Sequence, residues 1–310
     1  YVSGSIKSDA ISYDNYHIDS GEANFSYSNG TVDIHDASLY IGNGSVKAKG
    51  QYGIESGEFS IDGTIHNAEI APFTQNLSTP VSGTVNGEFS VRGKNSDITS
   101  LEGNIVGTSL SVRGISIDSA QVSFINAGSL TNIALTGAIG NGQLSGYGTI
   151  DNNLLNLSLS ADSLDASNFS SLVGTSISGN ITGYASVTGN LDNPSVTGSV
   201  TSPEIVYGGA HFNSINASFT IQNHILELTD TSIGDGDGAI TIGGTLDLNS
   251  NALNMRARAK AVRIENLIRP FSDVPLTGWF ESENEIQGTL DSPYVQGHVH
   301  LYDGSYNGKL

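Results

Sequence analysis

The stretch SGTVNGEFSVRG from Ser82 returns as SGNITGYASVTG from Ser178 and as TGWFESENEIQG from Thr277. Their first glycines, Gly83, Gly179 and Gly278, stand 96 and 99 positions apart. Working outward, each copy is followed by a second line: LEGNIVGTSLSV from Leu101, VTGSVTSPEIVY from Val196 and VQGHVHLYDGSY from Val295. The start of the chain, YVSGSIKSDAIS with Gly4, fits that second line, so the first line of its repeat is expected to be cut off. Spacing held over several independent markers identifies an internal repeat of about 97 residues, and a repeat has to be found before any fold is assigned.

Further markers keep phase. Ile41-Gly-Asn-Gly44 is matched with Ile139-Gly-Asn-Gly142 and Ile233-Gly-Asp-Gly236 and read as a hairpin turn. Near the end of each unit the alternation stops, at AEIAPFTQNL from Ala68, DASNFSSLVG from Asp165 and RIENLIRPFSDV from Arg263, and each segment reads as one or two turns of helix. Asn67, Asp165, Asn168, Glu265 and Asn266 supply start signals, and Pro72 and Pro270 limit the run. The organisation expected is a partial repeat over 1–80, repeats over 81–175 and 176–274, and the start of another over 275–310, with about eight strands of five to six residues per unit.

Elsewhere apolar residues occupy every second position, which gives each strand one apolar edge. Leu155, Leu157 and Leu159 alternate with Asn156, Ser158 and Ser160. The same pattern selects Ile61, Ile65, Phe89, Val91, Leu110, Val112, Val122, Phe124, Ile133 and Leu135 in the first half. In the second half it selects Ile181, Val187, Phe219, Ile221, Leu226, Leu228, Ile240, Ile242, Leu246, Leu248, Leu253 and Met255. One apolar face must be covered by a sheet, a helix layer or a bound apolar ligand, and one short helix per unit is too little roof. Many inward positions are small, as at Ala185, Ala257 and Ala259, so a sheet folded on itself is expected to leave an unfilled trough.

Composition agrees. Charged residues are 14% of the 310, glycine reaches 38 copies, cysteine is absent, and the net charge is −19. That charge has the wrong sign for nucleic acid or for anionic headgroups. The lack of cysteine fits an extracytoplasmic compartment, and no apolar run reaches the length of a spanning helix.

The lines GNLDNPSVTGSV from Gly189 and GTLDSPYVQGHV from Gly288 resemble the recurrent G-x-L-x-x-P-x-x-x-G signature of the TamB and AsmA-like proteins of diderm bacteria. GKNSDITSLEGNI from Gly93 lacks the Leu-Asp-x-Pro element, and a looser turn is expected there. The resemblance implies an all-β, elongated, U-shaped (taco-like) groove, periplasmic in a protein anchored in the inner membrane. It further implies non-enzymatic transfer of phospholipid to the outer membrane, with no cofactor and with an outer-membrane β-barrel partner of the Omp85 type. A scaffold for outer-membrane protein or autotransporter assembly and a surface adhesin built as a β-solenoid are the competing readings. A solenoid should close its phase in 20 to 30 residues rather than near a hundred.

Sites for chemistry are sparse. His298 and His300 share a strand face but lack an evident third metal ligand. Gly234–Gly238 (GDGDG) is similar to calcium loops yet reads as a turn. Arg256, Arg258, Lys260, Arg263 and Arg269 form a basic cluster, read as the outer edge of a strand rather than a headgroup contact, and Trp279 reads as groove-edge packing. Neither a nucleophile elbow nor a phosphate loop occurs, so no catalytic residue is assigned.

Overall fold

A computed structural model describes residues 1–13, 16–75 and 80–309. The chain divides into two compact units, residues 1–139 with 145–152 and residues 140–144 with 153–310. Unit 1 contains β1 (Val2–Ser8), a small hairpin of β2 (Ile11–Tyr13) and β3 (Tyr16–Ile18), then β4 (Ser20–Ser28), β5 (Thr31–Ile41), β6 (Gly44–Gly53) and β7 (Glu58–Glu69). Helix α1 (Ala71–Thr74), β8 (Val81–Lys94), β9 (Asp97–Val112), β10 (Ile115–Ala127) and β11 (Leu130–Ile139) follow. Strand β12 (Gly142–Asp151) leads to β13 (Leu154–Asp165), a 3-10 turn at Ala166–Phe169, α2 (Ser170–Val173), β14 (Ile177–Ser178), β15 (Asn180–Asn190) and β16 (Asn193–Ser202). The rest of unit 2 is a small hairpin of β17 (Ile205–Tyr207) and β18 (Ala210–Phe212), then β19 (Ser214–Gln222), β20 (Ile225–Asp235), β21 (Gly238–Asp247), β22 (Ala252–Arg263), α3 (Ile264–Ile268), β23 (Leu276–Thr289) and β24 (Ser292–Tyr306).

The protein is all-β, and within each unit the long strands form an antiparallel meander. Unit 1 pairs β1 with β4 and then continues in chain order to β11. Unit 2 runs from β13 through β15, β16 and β19 to β24. This antiparallel order is unlike the coil-on-coil parallel stacking of a β-helix.

Strands are fewer and longer than expected. From Val81 to Asp165 there are six, of 10 to 16 residues, in place of about eight of five to six. Interior glycines such as Gly87 and Gly103 are ladder positions. At one end of the strands the turns are tight, with Asn29–Gly30, Asn152–Asn153 and Asn223–His224 at positive φ in both positions, as right-handed strand twist demands of a two-residue hairpin. The turn at Asn95–Ser96 joins the paired residues Lys94 and Asp97 and is as short as those at Leu191–Asp192 and Leu290–Asp291, so the looser turn expected there is not found.

The opposite end of the strands is capped. There the third Gly-x-Gly turn sits two residues later than the sequence alignment placed it, at Gly236–Asp237. Asp235, not Ile233, therefore occupies the place of Ile41 and Ile139. The sequence GDGDG over 234–238 holds two overlapping Gly-x-Gly frames, and the turn uses the second; the bulges at Ser218/Phe219 and Leu228/Thr231 have counterparts at Asn24/Phe25 and Ile34/Ala37 ahead of the first turn. The three helices also lie at this end. Asp165 caps its 3-10 turn by accepting from Ser167 N at 2.9 Å, whereas Asn67 belongs to a bulge in β7 and the residue before α1 is Ile70. Pro72 opens α1 rather than limiting it, since a residue in the first helical turn needs no N–H. Pro270 follows the end of α3.

Among the described residues most of the buried apolar side chains lie at these caps, with Leu155 at the tight-turn end an exception. Ala166, Ile205, Ala210, Phe212 and Val262 are buried in unit 2, Ile41 and Ala68 in unit 1. Asp235 is wholly enclosed. Its Oδ1 accepts from Arg263 Nη2 at 2.7 Å and Asn266 Nδ2 at 2.9 Å, and its Oδ2 from Arg263 N at 2.6 Å. That network ties the β20–β21 turn to α3.

Candidate functional site

Away from the caps, strand register gathers the apolar edges into cross-strand rows. In unit 2 one row runs Leu157, Val187, Val196, Ile221, Leu226, Leu246, Leu253 from β13 to β22. The next runs Leu159, Ala185, Gly198, Phe219, Leu228, Gly244, Met255, Ile286. Ile240 pairs with Ala259 and Ile242 with Ala257, and Ile181 faces Leu164 past a bulge.

Unit 1 is built alike. Val46, Ile65, Gly87, Ile105, Val122 and Leu135 form one row, and Gly63, Phe89, Gly103, Phe124 and Ile133 another. Phe25, Ile34, Gly50, Ile61, Val91 and Leu101 make a third. Phe25, Ile34 and Val46 are members that the sequence reading passed over, although Ala23-Phe25-Tyr27 and Val32-Ile34 already alternate.

Nearly every one of the expected residues is half-buried. Leu155 is buried at 8% exposure, and Leu248 is a correction: it lies in the turn beyond β21 and is 45% exposed. Leu110 and Val112 lie past the positive-φ residue Ser109, at the capped end of β9 opposite Ile117 and Ile115. A closed sandwich core would enclose such side chains almost fully. The accessible surface is 18027 Å², whereas even two separate globular bodies of half this mass would expose only about 15,000 Å². Among the described residues the apolar rows are partly, not fully, covered.

Glycines let aromatic rings lie down on this face. A Cβ on Gly103 would come within 2.5 Å of Phe124 Cζ, one on Gly198 within 2.6 Å of Phe219 Cζ, and one on Gly4 within 3.0 Å of Phe25 Cζ. Each ring thus fills the gap left by a missing side chain on the next strand instead of standing up from the sheet, so the face stays low.

The opposite face is polar. Arg256 bonds Glu285 at 3.1 Å and Arg258 bonds Glu283 at 2.6 Å across β22 and β23. Arg263 is held by Asp235, and Arg269 donates to Gly209 O at 3.2 Å. The basic cluster is therefore largely engaged within the protein. His298 and His300 stand on β24 opposite Glu283 and Glu281, and among the described residues no group of three or more metal-ligating side chains converges. Trp279 pairs with Tyr302 at the capped end of β23.

A cavity of about 760 Å³ lies in unit 1 over β5 to β10. It is lined by short runs, 36–38, 47–49, 62–64, 88–90 and 102–104, whose outer members carry polar side chains. Neighbours on the apolar side such as Leu39, Ile61, Ile65 and Val91 do not line it, so it opens on the polar face. No protein-family model matches the chain, and no characterised protein or solved structure matches it.

Proposed function

We propose that this chain is a wall of an elongated, U-shaped β groove that carries phospholipid between the inner and outer membranes of a diderm bacterium, without catalysis. The observation that carries the reading is the incompletely covered apolar face of each unit, in rows that stay half-buried from strand to strand. Acyl chains lying on it would gain about 0.8 kcal/mol per methylene removed from water. Rows of Leu, Val, Ile and Phe offer no fixed polar anchor, so adjacent positions are close in energy and a chain can slide.

The repeat of about 97 residues is supported by features recurring in phase. Positive-φ bulge residues fall at Asn67, Ser163 and Ala261 and first-line glycines at Gly83, Gly179 and Gly278, with a helix before each first line. A periplasmic setting, anchoring of the full-length protein in the inner membrane and an outer-membrane β-barrel partner of the Omp85 type belong to the same reading.

The test is lipid extraction from the purified chain with mass spectrometry, paired with photo-crosslinkers at Leu157 and at Ser158. Lipid adducts at Leu157 and none at Ser158 are expected. Equal labelling, or none, overturns the reading.

A further inference from the structure

We propose that the polar-face cavity of unit 1 is a second, separate binding site, one for a short extended peptide with free amino and carboxyl ends. The cavity is a trench between two cross-strand rows. One row is Ser38, Lys47, Thr64, Glu88, Asn104; the other holds Lys49, Asp62, Ser90, Glu102 and Ile125. Its floor is the backbone of the row between them, Ala37, Ala48, Gly63, Phe89, Gly103 and Phe124, whose side chains belong to the opposite face.

Charge is segregated along this trench. Lys47 and Lys49 flank it on β6, and Glu88 and Glu102 flank it on β8 and β9. Between them Asp62 is engaged: it accepts from Ser90 Oγ at 2.6 Å and lies 3.7 Å from Arg92. Asp36, on β5, accepts from Asn24 at 2.9 Å.

No ion pair joins Lys47, Lys49, Glu88 or Glu102 to a partner among the described residues. In unit 2, by contrast, Arg256 and Arg258 meet glutamates directly across one strand boundary. In unit 1, Thr64 of β7 stands between Lys47 and Glu88, while Lys49 faces Asp62, whose carboxylate is engaged by Ser90 and lies near Arg92. Strands spaced about 4.8 Å place the lysines some 10–14 Å from the glutamates. An extended peptide of three or four residues spans about that length, at roughly 3.3–3.6 Å per residue. Its carboxylate fits Lys47 and Lys49, and its ammonium fits Glu88 and Glu102. Ile125, an apolar residue at 53% exposure on this otherwise polar face, offers the amino-terminal residue a side-chain contact.

The experiment titrates the whole 310-residue chain with tetra-alanine in free, N-acetylated and C-amidated forms, followed by backbone amide shifts or calorimetry at low salt. Saturable binding is expected for the free peptide, weakened about tenfold by blocking either end. Lys47→Gln with Lys49→Gln should weaken the N-acetylated peptide but leave the C-amidated one unchanged, and Glu88→Gln with Glu102→Gln should do the reverse. Equal binding of free and blocked peptides, absence of saturation, or variants that do not discriminate between the two ends overturns the proposal. Lipid crosslinking at Leu157 reads the opposite face of the other unit and stays unchanged in every one of these outcomes.

Discussion

The capped ends of the strands and the apolar rows between the ends draw on the same side chains, yet among the described residues most of the buried ones lie at the caps. Ile205, Phe212 and Val262 vanish from the surface because β17, β18 and α3 lie over one another. Leu157, Ile221 and Leu226 have the same chemistry but lie in the strand ladder and stay half-buried. Stability is thereby concentrated where the chain leaves the sheet, and the broad face is left partly open for another task. The contrast also explains how a sheet this wide holds together without a central core: the backbone ladder and the caps carry it.

The sharpest way to break the contrast is at the caps. Asp235→Ala removes an enclosed carboxylate that accepts from Arg263 N, the half-exposed Arg263 guanidinium and Asn266 Nδ2, which keeps only His211 O, and should lower unfolding stability by about 3 kcal/mol in chemical denaturation. Ile205→Ala, in the same cap, should lower it by about 2–4 kcal/mol.

Leu228→Asp on the apolar face should cost less than about 1.5 kcal/mol, because the site is not fully closed over by protein, while reducing lipid recovered with the chain. If it unfolds the protein as Asp235→Ala does, the two regions are not different in kind. Phe219→Ala exposes the Gly198 backbone beneath the ring and should lower stability by about 1 kcal/mol.

The smallest effect is expected at the tight-turn end. Backbone N–H groups of Ser250 and Asn249, at 2.9 and 2.8 Å, hold the Asp247 carboxyl below the usual carboxylate range. A carboxyl depressed in the folded state stabilises above its unfolded pKa of about 4 and loses that contribution as pH falls through its lower folded value. A carbon-detected titration should therefore place the Asp247 midpoint below the usual carboxylate range, and Asp247→Asn should flatten the acid limb of the stability curve slightly.

Much of this was legible from residues alone. Alternation at Leu155, Leu157 and Leu159 and at Phe219 and Ile221 identified the strands, their apolar edge and most members of the rows. The departures from alternation at Ala68, Asp165 and Arg263 located all three helical segments. Bulges were not legible, because one extra residue changes register without changing composition. The third turn was placed at Gly234 instead of Gly236 for another reason: GDGDG offers two overlapping Gly-x-Gly frames, and choosing the first hid the burial of Asp235 and its link to Arg263. Strand length was underestimated because glycine serves equally as a turn residue and as a seat for Phe124 or Phe219, and only cross-strand register tells the two apart. The trench was invisible for a similar reason: Lys47 and Glu88 are far apart in sequence and meet only through three strands in register.

Each long strand pairs mainly with the strands just before and after it, so few contacts must wait for a distant part of the polypeptide. Such a chain can assemble progressively, hairpin upon hairpin, as it emerges from a ribosome or a translocation channel. A face of this length can then be lengthened in evolution by duplicating a module, since each new piece needs only its immediate predecessor as a template.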